Sequence, residues 1–186
     1  TYSLNIIKGI GVNVTTIAQL EINSWKGIKE NNPAALPLLE KYARTTPGIS
    51  ASAYASDEKP WSSIYVSYIL SEVDNNFKKS TSHKTYINSA SRKERGYEAF
   101  SLKNTDKSIQ LQVGDILTYP RPGGNHGDII YKIVGDTIYL TGGNIGNTVI
   151  VFTRTIPSAI LTASVVPKLK LASPLKVSNP IVVLPL

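Results

Sequence analysis

None of the chain's 186 positions is a cysteine, which excludes disulfides, thiolate metal sites and a cysteine nucleophile. Histidine occurs only twice, so a multi-histidine metal centre cannot be built within one chain, and neither a metal nor another cofactor is expected. Methionine is also absent; without an initiator, a processed or trimmed product is expected. The first residues lack the basic region, apolar stretch and small-residue cleavage site of a signal peptide. No apolar run reaches the length that spans a bilayer, so no transmembrane segment is expected. Acidic residues are the minority charge: 13 against 20 basic ones leave a net charge of +7. That surplus suits anionic partners such as a cell-wall polymer, an anionic lipid or an acidic protein surface. Nucleic acid ranks low. Lys78-Lys79 and the cluster Arg92-Lys93-Glu94-Arg95 are short, with no interleaved aromatic residues to make a stacking platform.

What is present describes one folded domain. A hydrophobic content of 41% with 18% charged residues is ordinary for a globular protein, and the length suffices for one core but hardly two. Residues Val14 to Glu30 carry Ile17, Leu20, Ile22, Trp25 and Ile28 at near-helical spacing, which predicts an amphipathic helix ended by Asn31-Asn32-Pro33. A second, short helix is expected over Leu36 to Ala43, with a break at Pro47-Gly48. A third begins at Pro60 and runs to about Val73, and a fourth covers Ser82 to Ala90. Arg92 to Ser108 is polar and reads as a surface excursion.

The period then changes to that of strands: Asp115 to Tyr119, Asp128 to Val134, Thr137 to Thr141 and Thr148 to Thr153. Pro122-Gly123-Gly124-Asn125, Gly135-Asp136 and Gly142-Gly143-Asn144 mark the turns between them. Helices first and antiparallel strands second is the α+β class. From Pro157 to Leu186 five prolines interrupt apolar residues, which denies a central strand and predicts an extended tail that wraps this domain or docks on another chain.

Three residues spread over these elements suit acyl-transfer chemistry. Pro60-Trp61-Ser62-Ser63 opens the third helix, where unpaired N–H groups and the positive end of the helix dipole stabilise an anionic nucleophile or an oxyanion. The same pattern also serves as a plain helix start capped by a serine. A nucleophilic Ser62 needs a base from elsewhere in the fold, oriented by a third group. His126, between a glycine-rich turn and a strand start, is the candidate base, and Asn144, at the end of the next strand, the candidate orienter. Each is equally at home as a turn residue. Asp128 competes with Asn144, because two residues along a strand it shares the face of His126. His83 either packs against Tyr86 or approaches Ser62 as the base or a substrate contact.

The segment Pro60-Trp61-Ser62-Ser63-Ile64-Tyr65-Val66-Ser67-Tyr68 resembles the Pro-Trp-Ser/Cys-Ala-Ala-Phe-Val-Ser-Trp segment of bacterial and phage proteins related to the NlpC/P60 and CHAP peptidoglycan hydrolases. Ser82-His83-Lys84-Thr85-Tyr86-Ile87, Val113-Gly114-Asp115-Ile116-Leu117, His126-Gly127-Asp128-Ile129-Ile130 and Gly142-Gly143-Asn144 follow in the same order. The chain resembles in particular the DUF2272 family, with the likeness running from about Val14 to Val151.

The resemblance implies a papain-like, NlpC/P60-type domain over residues 1–156, followed by the tail at 157–186. It implies a peptidase or amidase acting on peptidoglycan, or a non-catalytic structural or binding module of a phage particle or secretion assembly on the same fold. By position it assigns catalysis to Ser62, His126 and Asn144, and substrate contact to Trp61, His83 and Gly143. An extracellular, periplasmic or virion-associated location follows, with peptidoglycan and a protein docked by the tail as partners. Serine, common at this position in the DUF2272 family, stands where the related NlpC/P60 and CHAP enzymes have cysteine, and its far higher pKa makes it wholly dependent on a general base.

Overall fold

The computed structural model of the chain describes residues 4–7, 11–46, 50–54, 59–102 and 111–155. The expected tail from Pro157 and the break at Pro47-Gly48 lie outside the described residues. The first helix, α1, spans Gly11–Trp25 and stops earlier than its apolar spacing predicts. Lys26 and Gly27 both take positive φ, 44° and 79°, a left-handed pair that ends a helix. Its inner face is Val14, Ala18, Glu21 and Trp25, successive steps of four, three and four. Leu20, expected on that face, is 56% exposed.

Asn32 does more than end a helix: its side chain accepts the Ala34 N–H at 2.9 Å and caps a short 3-10 turn, Pro33–Ala35, that leads into α2, Leu36–Thr45. Helices α3, Ser62–Val73, and α4, His83–Ser91, fall close to their expected bounds. No helix among the described residues is long and apolar enough to cross a membrane.

Six strands form one antiparallel sheet in the order β2-β1-β3-β4-β5-β6. They are β1 Leu4–Ile7, β2 Ala99–Leu102, β3 Ile116–Arg121, β4 Gly124–Val134, β5 Thr137–Gly142 and β6 Ile150–Thr155. Four of them form the expected meander. Strands β1 and β2 correct the reading: each has only four residues, too few for a visible alternation, and β2 lies inside the stretch read as a surface excursion. Their stability comes from pairing with each other and of β1 with β3, which is a tertiary effect. The architecture is α+β, with helices preceding most of the sheet.

Helix α3 is the centre of the molecule. Ser62 to Ser67, Ile69, Leu70 and Ser71 are all buried, and the helix packs against α1, α2, β4 and β5. At its head Trp61 stacks on Trp25 with ring centroids 4.8 Å apart and planes 11° off parallel. Tyr42 lies 6.2 Å from Trp61 and meets Tyr65 edge-on at 5.5 Å. The Trp25 Nε1–H donates to Tyr42 Oη at 2.7 Å, and Tyr42 donates to the buried Glu21. Lys41 donates to the other Glu21 oxygen, so this interior carboxylate is paired, without which its burial would cost several kcal/mol.

Trp25→Ala removes a fully buried indole and leaves the Tyr42–Glu21 pair without its neighbour. A loss of about 3–5 kcal/mol is expected, measured as a lowered urea midpoint with an unchanged slope.

Candidate active site

Ser62 is the first residue of α3, and Trp61 before it supplies no side-chain cap. The N–H groups of the first helical turn therefore have no intrahelical acceptor. Ser62 itself is 1% exposed. Its Oγ lies 2.7 Å from Nε2 of His83, the first residue of α4.

What brings α4 there is a pair of serines one turn apart. Ser63 and Ser67 both donate to the carbonyl oxygen of Ser80, at 2.8 and 3.1 Å. Ser67 Oγ in turn accepts the Ser80 N–H at 3.0 Å. These bonds fasten the loop before α4 to the side of α3 and so fix where His83 starts. On the far side of the ring, His83 Nδ1 is hydrogen-bonded to Tyr86 Oη, an i,i+3 pair on one helix face.

His83 is almost wholly buried, and burial, followed by the nearby His126 and Arg121, lowers its pKa from the ordinary 6.5 to about 3. The ring is neutral through the physiological range. With its proton on Nδ1, directed at Tyr86, Nε2 is a free acceptor for the Ser62 hydroxyl. Burial pushes the Tyr86 phenol well above its usual range, and the charge of Asp128 adds to this, so Tyr86 stays neutral as well.

His126 lies within β4, opposite Tyr119 of β3, and not ahead of the strand as its glycine-rich approach suggests. It is 3% exposed, its Nε2 is 3.0 Å from Asp128 Oδ1, and its Nδ1 is buried without a hydrogen-bond partner. Asp128 also accepts from Tyr119 Oη at 2.9 Å. The rings of His83 and His126 are 5.6 Å apart between centroids. The partner of Ser62 is thus His83, and the carboxylate that His126 faces is that of Asp128.

Asn144 is engaged elsewhere. With its carboxamide oxygen turned toward the donors, it accepts the Trp61 backbone N–H at 3.2 Å and donates to Glu30 at 3.3 Å. Glu30 also accepts from the Trp61 indole. Asn144, Glu30 and Trp61 therefore hold the residue before Ser62. Gly143 lies against the rings of Trp61 and Tyr65 with no room for a Cβ. Neither Trp61 nor Gly143 lines the open space at Ser62.

That space is a cleft of about 340 Å³ whose walls include Ser62, His83, Ser82, Arg121 and the Pro122–Gly124 turn. A second cavity, beside Phe77, Tyr86 and Tyr97, holds only about 10 Å³, room for no more than a single water. No cluster of three metal-ligating side chains occurs among the described residues.

Sequence reasoning missed Ser63, Ser67 and Glu30, and took Tyr86 only as a packing neighbour of His83. Tyr86 had a signal in its i,i+3 spacing from His83; the paired serines had one in their i,i+4 spacing on an otherwise apolar helix. Glu30 had none.

A family model described as "Uncharacterized protein conserved in bacteria (DUF2272)" matches residues 19–126, over half the chain. That span is shorter than the likeness read from the motifs. It includes Ser62, His83, Tyr86 and His126 and ends before Asp128 and Asn144. No curated protein and no solved structure matches.

Two expectations follow from this geometry. A Cβ at Gly127 would lie 2.6 Å from Tyr86 Oη and 2.9 Å from His83 Nδ1, closer than real contacts allow. Gly127→Ala should separate β4 from α4 and destabilise the fold by about 1–3 kcal/mol, read as a lower thermal midpoint together with a shifted His83 ring resonance.

Titration supplies the second. Because the folded pKa of His83 is depressed, the unfolded chain binds the proton first as pH falls. Stability should then decline from about pH 6.5 toward pH 3, at up to about 1.4 kcal/mol per pH unit. Urea midpoints across that window should show the slope, and His83→Gln should flatten it.

Proposed function

The chain belongs to the DUF2272 family, and from that premise we propose that it is a cell-wall hydrolase, a peptidase or amidase that cleaves peptidoglycan through Ser62. The observation that carries this reading is the 2.7 Å contact between Ser62 Oγ and His83 Nε2, made at a helix N-terminus on the wall of a cleft.

In the proposed reaction His83 Nε2 takes the Ser62 proton as Oγ attacks the scissile amide carbonyl. The oxygen of the tetrahedral intermediate lies against the uncapped N–H groups of the first turn of α3. His83 passes its proton to the leaving amine, which departs and leaves an acyl group on Ser62. Water, deprotonated by the same ring, then attacks the acyl carbon, and the ring returns that proton to Ser62 Oγ as the acyl C–O bond breaks and the acid leaves. Tyr86 holds the ring in the tautomer this needs, with a neutral phenol in the place that a carboxylate takes in the Ser-His-Asp arrangement. His126 with Asp128 forms an imidazole–carboxylate pair beside the base.

We read the helix-start nucleophile followed by an antiparallel sheet as a papain-like domain of the NlpC/P60 type. The charge of +7 suits an anionic wall, and an extracellular, periplasmic or virion-associated site of action accords with it.

One observation favours a second reading, a non-catalytic module of a phage particle or secretion assembly on the same fold. Ser62 is almost fully buried, and the ring beside it is a weak base, with its pKa near 3.

Purified sacculi decide between the two. Wild-type protein should release soluble muropeptides, and Ser62→Ala should lower the rate by at least about 1,000-fold. His83→Gln should cost about 100-fold or more, and His126→Gln less than His83→Gln. Equal trace release by wild type and Ser62→Ala would leave the non-catalytic module standing.

A further inference from the structure

The cleft at Ser62 has one formally charged side chain in its walls, Arg121, and no acidic one. Arg121 is the last residue of β3 and is paired with Gly124 across the turn into β4. It is half-buried and makes no ion pair among the described residues. Its alternation along β3 puts it on the same face as Tyr119, two residues earlier, whose hydroxyl is bound to Asp128. That carboxylate is already shared with His126.

The other polar walls can donate as well as accept. Ser82 and Thr81 present hydroxyls, and Asn125 a carboxamide. Helices α3 and α4, of twelve and nine residues, both begin on the cleft, and neither has a side-chain cap. On the opposite wall, a Cβ at Gly123 or Gly124 would meet nothing within 4 Å, so the turn leaves room for a ligand to enter.

A half-buried guanidinium with no ion pair among the described residues, in a cleft whose other polar walls can donate hydrogen bonds, calls for an anion from outside. Its planar fork of N–H groups matches a carboxylate through two parallel charge-assisted bonds. We propose that Arg121 selects substrates bearing a free carboxylate next to the scissile amide. This deepens the hydrolase reading of Ser62 and rests on it. Held by Arg121, the carboxylate would anchor the substrate in the cleft while Ser62 addresses the neighbouring carbonyl. No covalent step involves Arg121, which makes it a specificity-determining residue.

The test uses two synthetic stem tetrapeptides, L-Ala-γ-D-Glu-L-Lys-D-Ala with the C-terminal carboxyl amidated in both, identical except that the α-carboxyl of D-Glu is free in one and amidated in the other. Hydrolysis is followed with the full chain, and binding by calorimetry with Ser62→Ala. The wild type should favour the free acid by about 10- to 100-fold in kcat/KM, and Ser62→Ala should bind it more tightly by a similar factor. Arg121→Gln should bring both ratios close to one, and Arg121→Lys should keep part of each. Circular dichroism of the Arg121 variants confirms that each is folded.

Equal treatment of both peptides by the wild type, with hydrolysis intact, overturns the role of Arg121 and leaves the hydrolase reading in place. A binding preference that depends on Arg121, without hydrolysis of either peptide, supports the carboxylate site and removes the hydrolase. A preference that survives Arg121→Gln, or binding and hydrolysis of neither peptide, overturns the assignment.

Discussion

The position of Trp61 is the constraint on which the rest of the molecule depends. Its ring stacks on Trp25, its indole N–H is bound by Glu30, and its backbone N–H is bound by Asn144. Those contacts come from α1, from the segment after it, and from the loop after β5. A single residue thereby ties the helical half to the sheet, and the next residue is Ser62. Burying Glu30 is costly unless its oxygens are satisfied, so the network is specific about geometry. It fixes where α3 begins and what its first N–H groups face.

The electrostatics of the site follow from burial as much as from proximity. His83 sits among Ser62, Tyr86 and a second imidazole, with Arg121 nearby, and each disfavours or fails to stabilise a protonated ring. Asp128, the carboxylate of this region, is committed to His126 and Tyr119. The result is a neutral serine–imidazole–phenol chain adjoining an imidazole–carboxylate contact. The two glycines that pack closest to it, Gly127 and Gly142, let β4 approach His83 and let Asp128 sit under β5.

Much of this was legible in the sequence because it is local. The start of α3 at Ser62, the helix at His83 and the four-strand meander all declare themselves through period and turn chemistry. Partnership was legible only in part. His126 and Asp128 share a strand face by alternation, so their pairing could be foreseen. That His83 should reach Ser62 depends on two serine hydroxyls gripping one carbonyl, a long-range contact with no periodic signature. Asn144 after two glycines reads as a turn or as an orienter, whereas its partners Trp61 and Glu30 lie far away along the chain. Strands β1 and β2 were missed because four residues carry too little pattern, and their stability is borrowed from their neighbours.

The grip on the Ser80 carbonyl has a consequence for the order of assembly. Ser63 and Ser67 face the same oxygen only once α3 has turned through a full helical repeat. In a chain still extended there, they point apart, and α4 has no fixed place to dock. The serine and histidine of the site therefore cannot meet before α3 is formed. Fraying of its first two turns would part them while leaving the β3–β6 meander intact.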